Sequence, residues 1–174
     1  MTDSSIFGIF FPDETVPAVD DVDYGKLIDS GIEAVIFDLD NTLAKWGDDS
    51  LPGEIIELFE QLTSMGLKVG ILTNSQRETI KNFIVELPFP HVFDAGKPRI
   101  QGFRSILDEL DVSPEKAVMI GDQLFTDVFG ANRMNMYTVR VDPIDPDKEF
   151  SLTKINRLGE KALLYLRDFY RLLR

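Results

Sequence analysis

Two rhythms of apolar residues run along this chain and divide it into alternating elements. Short, almost wholly apolar runs recur at residues 34–37, 67–72, 91–93, 117–120 and 137–141. Each is too short for a buried helix and suits a strand covered on both faces. Between these runs the apolar positions fall at helical spacing. Pro52 opens a helix to about residue 65, with Ile55, Ile56, Leu58, Phe59 and Leu62 in register and Gly66 as its stop. The pattern predicts further helices over 76–86, 100–110 and 125–134, and a last one over roughly 157–173. In the helix over 100–110, Phe103, Ile106, Leu107 and Leu110 share a face. Ahead of Ala34 the chain reads as an irregular, acidic opening. Apolar strands alternating with helices predict an α/β fold: a Rossmann-like parallel sheet of about five strands, with helices on both faces.

That architecture says where chemistry should lie, because ligands bind such sheets beyond the carboxyl ends of the strands. The first predicted strand ends in Asp38-Leu39-Asp40. Carboxylates at i and i+2 in extended chain project to the same side. Two anions held together there repel and lose hydration, so they need a cation, a proton or a chemical task. The other strands supply partners. The second ends in Thr73-Asn74-Ser75, the third leads to Lys97-Pro98, and the fourth ends in Gly121-Asp122, with Asp127 five residues on. The fold would gather all of them at one edge.

Composition narrows the chemistry. The chain has no cysteine, which removes thiolate metal sites and a cysteine nucleophile. Oxygen ligands alone suit a hard divalent ion, Mg²⁺ first. A carboxylate beside Mg²⁺ and lysine is ionised and can attack phosphorus, giving an aspartyl-phosphate. Thr73 and nearby backbone amides would hold phosphoryl oxygens, while Lys97 offsets charge in the transition state. Asp40 would protonate the leaving oxygen and later activate water. Asn41 and Thr42 shape the turn, with Thr42 placed to position Asp40. His91, the single histidine, reads as structural, and Arg99, Arg104 and Arg133 are candidates for a second phosphate.

These ordered motifs resemble the haloacid dehalogenase (HAD) superfamily. The resemblance implies Asp38 as nucleophile, Asp40 as general acid/base, and Mg²⁺ held by Asp38, Asp122 and the backbone carbonyl of Asp40. It further implies Thr73 and Asn74 at the phosphate, Lys97 bridging nucleophile and phosphoryl group, and Asp127 supporting the metal. An aspartate at 40 is typical of its phosphatases and phosphomutases. More closely, Gly121-Asp-Gln-Leu-Phe-Thr-Asp127, Gly130-Ala-Asn-Arg133 and Thr153-Lys-Ile-Asn-Arg157 resemble a YqeG-like branch. That branch is similar to phosphatidylglycerophosphate phosphatases of phospholipid biosynthesis.

Length and charge set the surroundings. The 174 residues read as one domain, with the motifs within 34–141 and residues 142–174 forming a loop and a basic amphipathic helix. Neither motif interval, Asp40 to Thr73 or Thr73 to Lys97, has room for a cap domain, so the site should be open to a bulky phosphate. The net charge of −12 argues against nucleic acid. Residues 151–174 nevertheless carry six basic and two acidic side chains, while the first 25 residues hold six acids and no Lys or Arg. The basic tail and the apolar patch at residues 6–11 suggest peripheral contact with an anionic membrane, or packing on the domain. With no long apolar run and no basic segment before that patch, the expected setting is cytoplasmic, at the inner membrane face where peripheral. The expected substrate is phosphatidylglycerophosphate. A soluble nucleotide or sugar phosphate is the alternative, and a non-catalytic interaction protein of the same fold is a third reading. A receiver-like phosphorylatable module has its acids and lysine in a different order.

Overall fold

The short apolar runs become parallel strands. In the computed structural model, which describes residues 8–147 with Gly159, Glu160 and Leu163, the sheet has six strands. They are β1 (Glu14–Val16), β2 (Ala34–Phe37), β3 (Lys68–Leu72), β4 (His91–Val92), β5 (Ala117–Gly121) and β6 (Tyr137–Val141). Their order is β1-β6-β5-β2-β3-β4, and every neighbouring pair is parallel. The chain runs outward from β2 through β3 to β4, then crosses back to β5 on the other side of β2. That reversal is a topological switch point, and β2 stands at it.

Alternation along the central strands explains why their buried positions lack polar residues. Val35, Phe37, Val69, Ile71, Val118 and Ile120 face one layer, packing on Ile55, Leu58, Phe59 and Leu62 of α2 (Gly53–Ser64). Ala34, Ile36, Leu72, Ala117 and Met119 face the other, against Phe103, Ile106, Leu107 and Leu110 of α4 (Ile100–Leu110). Both faces of these strands are therefore covered, which leaves little place for a polar side chain. The Phe37 and Phe59 rings stack with centroids 5.2 Å apart, fixing α2 over β2. On the opposite face α4 lies over Gly70, where a Cβ would come 3.1 Å from both Ile106 and Leu110.

Several elements differ from the expected pattern. The acidic opening holds the edge strand β1 and the short helix α1 (Tyr24–Asp29), capped by Asp23, whose side chain accepts from the Lys26 amide. Helix α3 covers Glu78–Ile84, shorter than the 76–86 expected. The helix expected over 125–134 is two pieces: a π-helical turn at Leu124–Val128, then α5 (Phe129–Asn132). The basic helix expected over 157–173 lies outside the described residues except at Gly159, Glu160 and Leu163. Between Asp40 and Thr73 the chain forms one loop, α2 and β3; between Thr73 and Lys97, α3 and β4. Neither interval contains a cap. Among the described residues no helix is long and apolar enough to cross a membrane.

Candidate active site

Five segments bring their ends to one place. Asp38 is the first residue beyond β2, and its amide continues the strand pairing with a 2.9 Å bond to the Ile120 carbonyl. Its side chain is buried. Thr73 follows β3 and Asp122 follows β5, the two strands flanking β2, so all three residues stand side by side. Lys97 arrives from the loop after β4. Asn74 holds that loop from both ends of its amide: Lys97 N donates to Asn74 Oδ1 at 2.7 Å, and Asn74 Nδ2 donates to the Lys97 carbonyl at 3.0 Å. The side chain of Asn74 is thus a brace for Lys97.

The Lys97 ammonium, almost wholly buried, donates to Asp38 Oδ1 and to Asp127 Oδ1, each at 2.6 Å. Asp127 comes from the π-helical turn, the kind of irregular turn often found at functional sites. Its other oxygen accepts the Gln123 amide at 3.1 Å. Gly121 leaves room for this carboxyl: a Cβ there would lie 2.5 Å from Asp127 Oδ2. Asp38, Asp122 and Asp127 each offer an oxygen within 4.8 Å of the others. Thr42, expected beside Asp40, instead directs its hydroxyl at Asp122 Oδ1, 3.4 Å away. The Thr73 hydroxyl accepts the Ser75 amide at 3.0 Å, closing a tight turn whose backbone lines the site.

Electrostatics follow from this crowding. Burial, the largest influence, pushes the Asp38 carboxyl well above the ordinary range; Lys97 pulls it down, while Asp127 and Asp122 push it up again. For Lys97, burial opposes the charged form, but Asp127 and Asp38 outweigh it and raise its pKa above the usual lysine value. With all three buried carboxyls ionised, one ammonium leaves this group two negative charges in excess. A divalent cation cancels that excess, and three carboxylate oxygens are the donor set of a hard ion. The residues present therefore fit a divalent metal.

The carboxylate of Asp40 lies outside that trio. It stands about one-fifth exposed and pairs with Arg77, whose Nη2 donates to Asp40 Oδ1 at 2.5 Å. Arg77 did not stand out in the sequence; the only hint is its place in the turn that carries Thr73. Arg133 donates to the Pro98 carbonyl at 3.2 Å and lies over the Phe129 ring, so it braces the Lys97 loop. Glu160 is a second residue that sequence reasoning passed over. Buried, it accepts the Leu124 amide at 2.7 Å and the Phe125 amide at 3.4 Å, at the start of the turn bearing Asp127. Its only signal in the sequence is that it is one of two acids in the otherwise basic stretch 151–174.

A parallel sheet with acids, threonine and lysine gathered at its switch point defines a class, and sequence comparison defines the same one. Residues 44–135 match the model of the haloacid dehalogenase-like hydrolases, and the chain belongs to that family. With an aspartate two residues beyond Asp38 it is a phosphatase-type member. It is 35% identical to YqeG of Bacillus subtilis, named a probable phosphatase, over 89% of this chain and 90% of that protein. It is also 34% identical to the glyceraldehyde 3-phosphate phosphatase of Methanopyrus kandleri, over 51% of this chain but only 42% of that enzyme. The chain thus spans less than half of that relative's length. Among solved structures, CbbY of Rhodobacter sphaeroides shares the fold, with a TM-score of 0.52 at 17% identity over 69% of this chain and 91% of that one.

Proposed function

We propose that this protein hydrolyses a phosphomonoester through an aspartyl-phosphate on Asp38, with Mg²⁺ as its metal. The observation that carries the reading is the buried Lys97 ammonium shared between Asp38 and Asp127 at 2.6 Å, with Asp122 completing the acid trio. In the first step the Asp38 carboxylate attacks phosphorus, and the bond from phosphorus to the ester oxygen breaks. Asp40 gives its proton to that oxygen, which leaves as an alcohol. In the second step Asp40 takes a proton from water, whose oxygen attacks the phosphorus of the acyl phosphate. Inorganic phosphate departs and the Asp38 carboxylate is restored. Lys97 holds the nucleophile in place and offsets charge on the phosphoryl group, and the Thr73 hydroxyl with the backbone of its turn holds phosphoryl oxygens. Asn74 serves the phosphate by fixing Lys97. Asp38, Asp122 and the Asp40 carbonyl, supported by Asp127, would hold Mg²⁺, which would supply the balancing positive charge.

The substrate we favour is phosphatidylglycerophosphate, or a lipid phosphomonoester like it, met by a cytoplasmic protein at the inner membrane face. The capless mouth and the basic residues of the tail support this reading, as does the likeness to YqeG along nearly the whole chain. A soluble three-carbon sugar phosphate is the second reading, favoured by the likeness to glyceraldehyde 3-phosphate phosphatases. The two are chemically close, because the lipid also ends in a glycerol phosphate.

Turnover with Mg²⁺ should be compared for phosphatidylglycerophosphate in mixed micelles, glyceraldehyde 3-phosphate and glycerol 3-phosphate. A kcat/KM for the lipid about tenfold or more above the others is expected, and a soluble ester in first place would reverse the assignment. Asp38→Asn should lose about three orders of magnitude or more. Near-normal activity in that variant, or activity untouched by EDTA, would remove the mechanism.

A further inference from the structure

Arg77 belongs to none of the motifs, yet it touches the one catalytic carboxylate that the buried cluster leaves out. It immediately precedes α3, and its side chain turns back across the mouth of the site. Nη2 donates to Asp40 Oδ1 at 2.5 Å, and Nη1 donates to the Asp48 carbonyl at 2.7 Å. The second contact grips the turn at residues 45–48, which closes through Asp48 N to the Lys45 carbonyl and Lys45 N to Asp48 Oδ2, each at 3.1 Å. Trp46, on the same turn, is 39% exposed. The remaining guanidinium nitrogen, Nε, is buried and has no hydrogen-bond partner among the described residues. Leaving a buried donor unpaired is costly, so the side chain holds this pose for its two Nη contacts.

We propose that Arg77 is the positioning residue for Asp40. By engaging Oδ1 alone, it fixes the carboxylate so that Oδ2 is the atom that gives and takes the proton, and it ties the 45–48 turn to that geometry. Asp40 lies at the rim, where an unrestrained carboxylate would sample several rotamers. Proton transfer needs its oxygen within hydrogen-bond reach of the ester oxygen, and a shift of about 1 Å is enough to cost on the order of a hundredfold. A planar guanidinium gripping backbone with one arm and the carboxylate with the other restricts that motion, which an ammonium does less well. The proposal rests on Asp40 being the acid/base of the reaction.

Leaving groups separate positioning from folding. The alcohol of glycerol 3-phosphate requires a proton as it departs, whereas the phenolate of p-nitrophenyl phosphate departs without one. Arg77→Gln should slow ester cleavage of glycerol 3-phosphate by about ten- to a hundredfold. In rapid-mixing measurements it should change the first release of nitrophenolate by less than about threefold. Arg77→Lys should recover part of the loss, and Arg77→Gln added to Asp40→Asn should cost nothing more. Equal losses on both esters, or additive losses in the double variant, overturn the positioning role. If Asp40→Asn itself shows no leaving-group dependence, the acid/base assignment fails instead. Amide exchange at residues 45–48, read without any turnover, should quicken roughly tenfold in Arg77→Gln. Unchanged exchange there also overturns the proposal.

Discussion

A single methyl group at Gly121 should disable the site. With the backbone unmoved, a Cβ there meets Asp127 Oδ2 at 2.5 Å, its Cγ at 2.6 Å and its Cβ at 2.8 Å, whereas ordinary contact begins at 3.4 Å. The carboxyl of Asp127 would have to withdraw by roughly an ångström. It cannot swing away freely, because one oxygen is tied to Lys97 at 2.6 Å and the other to the Gln123 amide at 3.1 Å. Retreat breaks or lengthens both bonds, one of them charge-assisted, and Gly121→Ala should therefore cost about 3 kcal/mol of stability. Displacing Asp127 also moves Lys97 and the acid trio, so kcat should fall by roughly a hundredfold and half-saturation by Mg²⁺ should need more metal. Urea unfolding and a metal titration of p-nitrophenyl phosphate turnover measure the two effects. Gly53→Ala is the control, since nothing lies within 4 Å of its Cβ. Wild-type turnover and wild-type metal dependence in Gly121→Ala would show that the contact does not set the site.

Other perturbations test the electrostatics and the supports. Lys97→Met leaves three crowded carboxylates, so the metal-free protein should lose about 3–5 kcal/mol, and Mg²⁺ should restore part of it; urea midpoints that ignore both changes would contradict the charge balance of the cluster. Glu160→Ala strips the acceptor from the Leu124 and Phe125 amides, at a cost of about 2 kcal/mol and weaker metal affinity, checked by thermal unfolding with and without Mg²⁺. Tyr24 gives a pH signature. Burial, with the charge of Asp20, raises its phenol above the usual value, and its hydroxyl donates to the Val19 carbonyl at 2.8 Å. Its contribution is fully present below about pH 10 and is lost as pH rises through the raised folded value. Tyr24→Phe should lose about 1 kcal/mol at neutral pH and decline less steeply than wild type above about pH 10; parallel declines would refute the assignment.

The sheet and most of the site were legible because burial on both faces leaves one reading for a run such as Ala34–Phe37. With the strands known, polar residues at their carboxyl ends could be collected in advance, and Asp38, Thr73, Lys97 and Asp122 do stand together. Elements with little burial were not legible. Strand β1 has three residues, none of them buried, and α1 buries only Tyr24 and Leu27. The π-helical turn was hidden because a single wide turn keeps nearly the apolar spacing of a helix. The contact of Thr42 with Asp122 was not legible either, since chain proximity to Asp40 says nothing of an acid 80 residues on. Arg77 beside Glu78 looks like a surface pair, and nothing in its spacing announces a partner 37 residues back.

The turn that bears Asp127 is held from both directions along the chain. Phe10 stacks on Phe129 at 4.6 Å and meets Phe125 edge-on at 6.1 Å, while Glu160 takes the amides of Leu124 and Phe125. Synthesis from the N-terminus therefore delivers the parts of the site in a fixed sequence. Asp38 and every described strand of the sheet precede Glu160 in the chain, so they are made before the residue that clasps the turn carrying Asp127. A tag or fusion that pulls on residue 10 or residue 160 should therefore act on the turn carrying Asp127 and not merely on the surface.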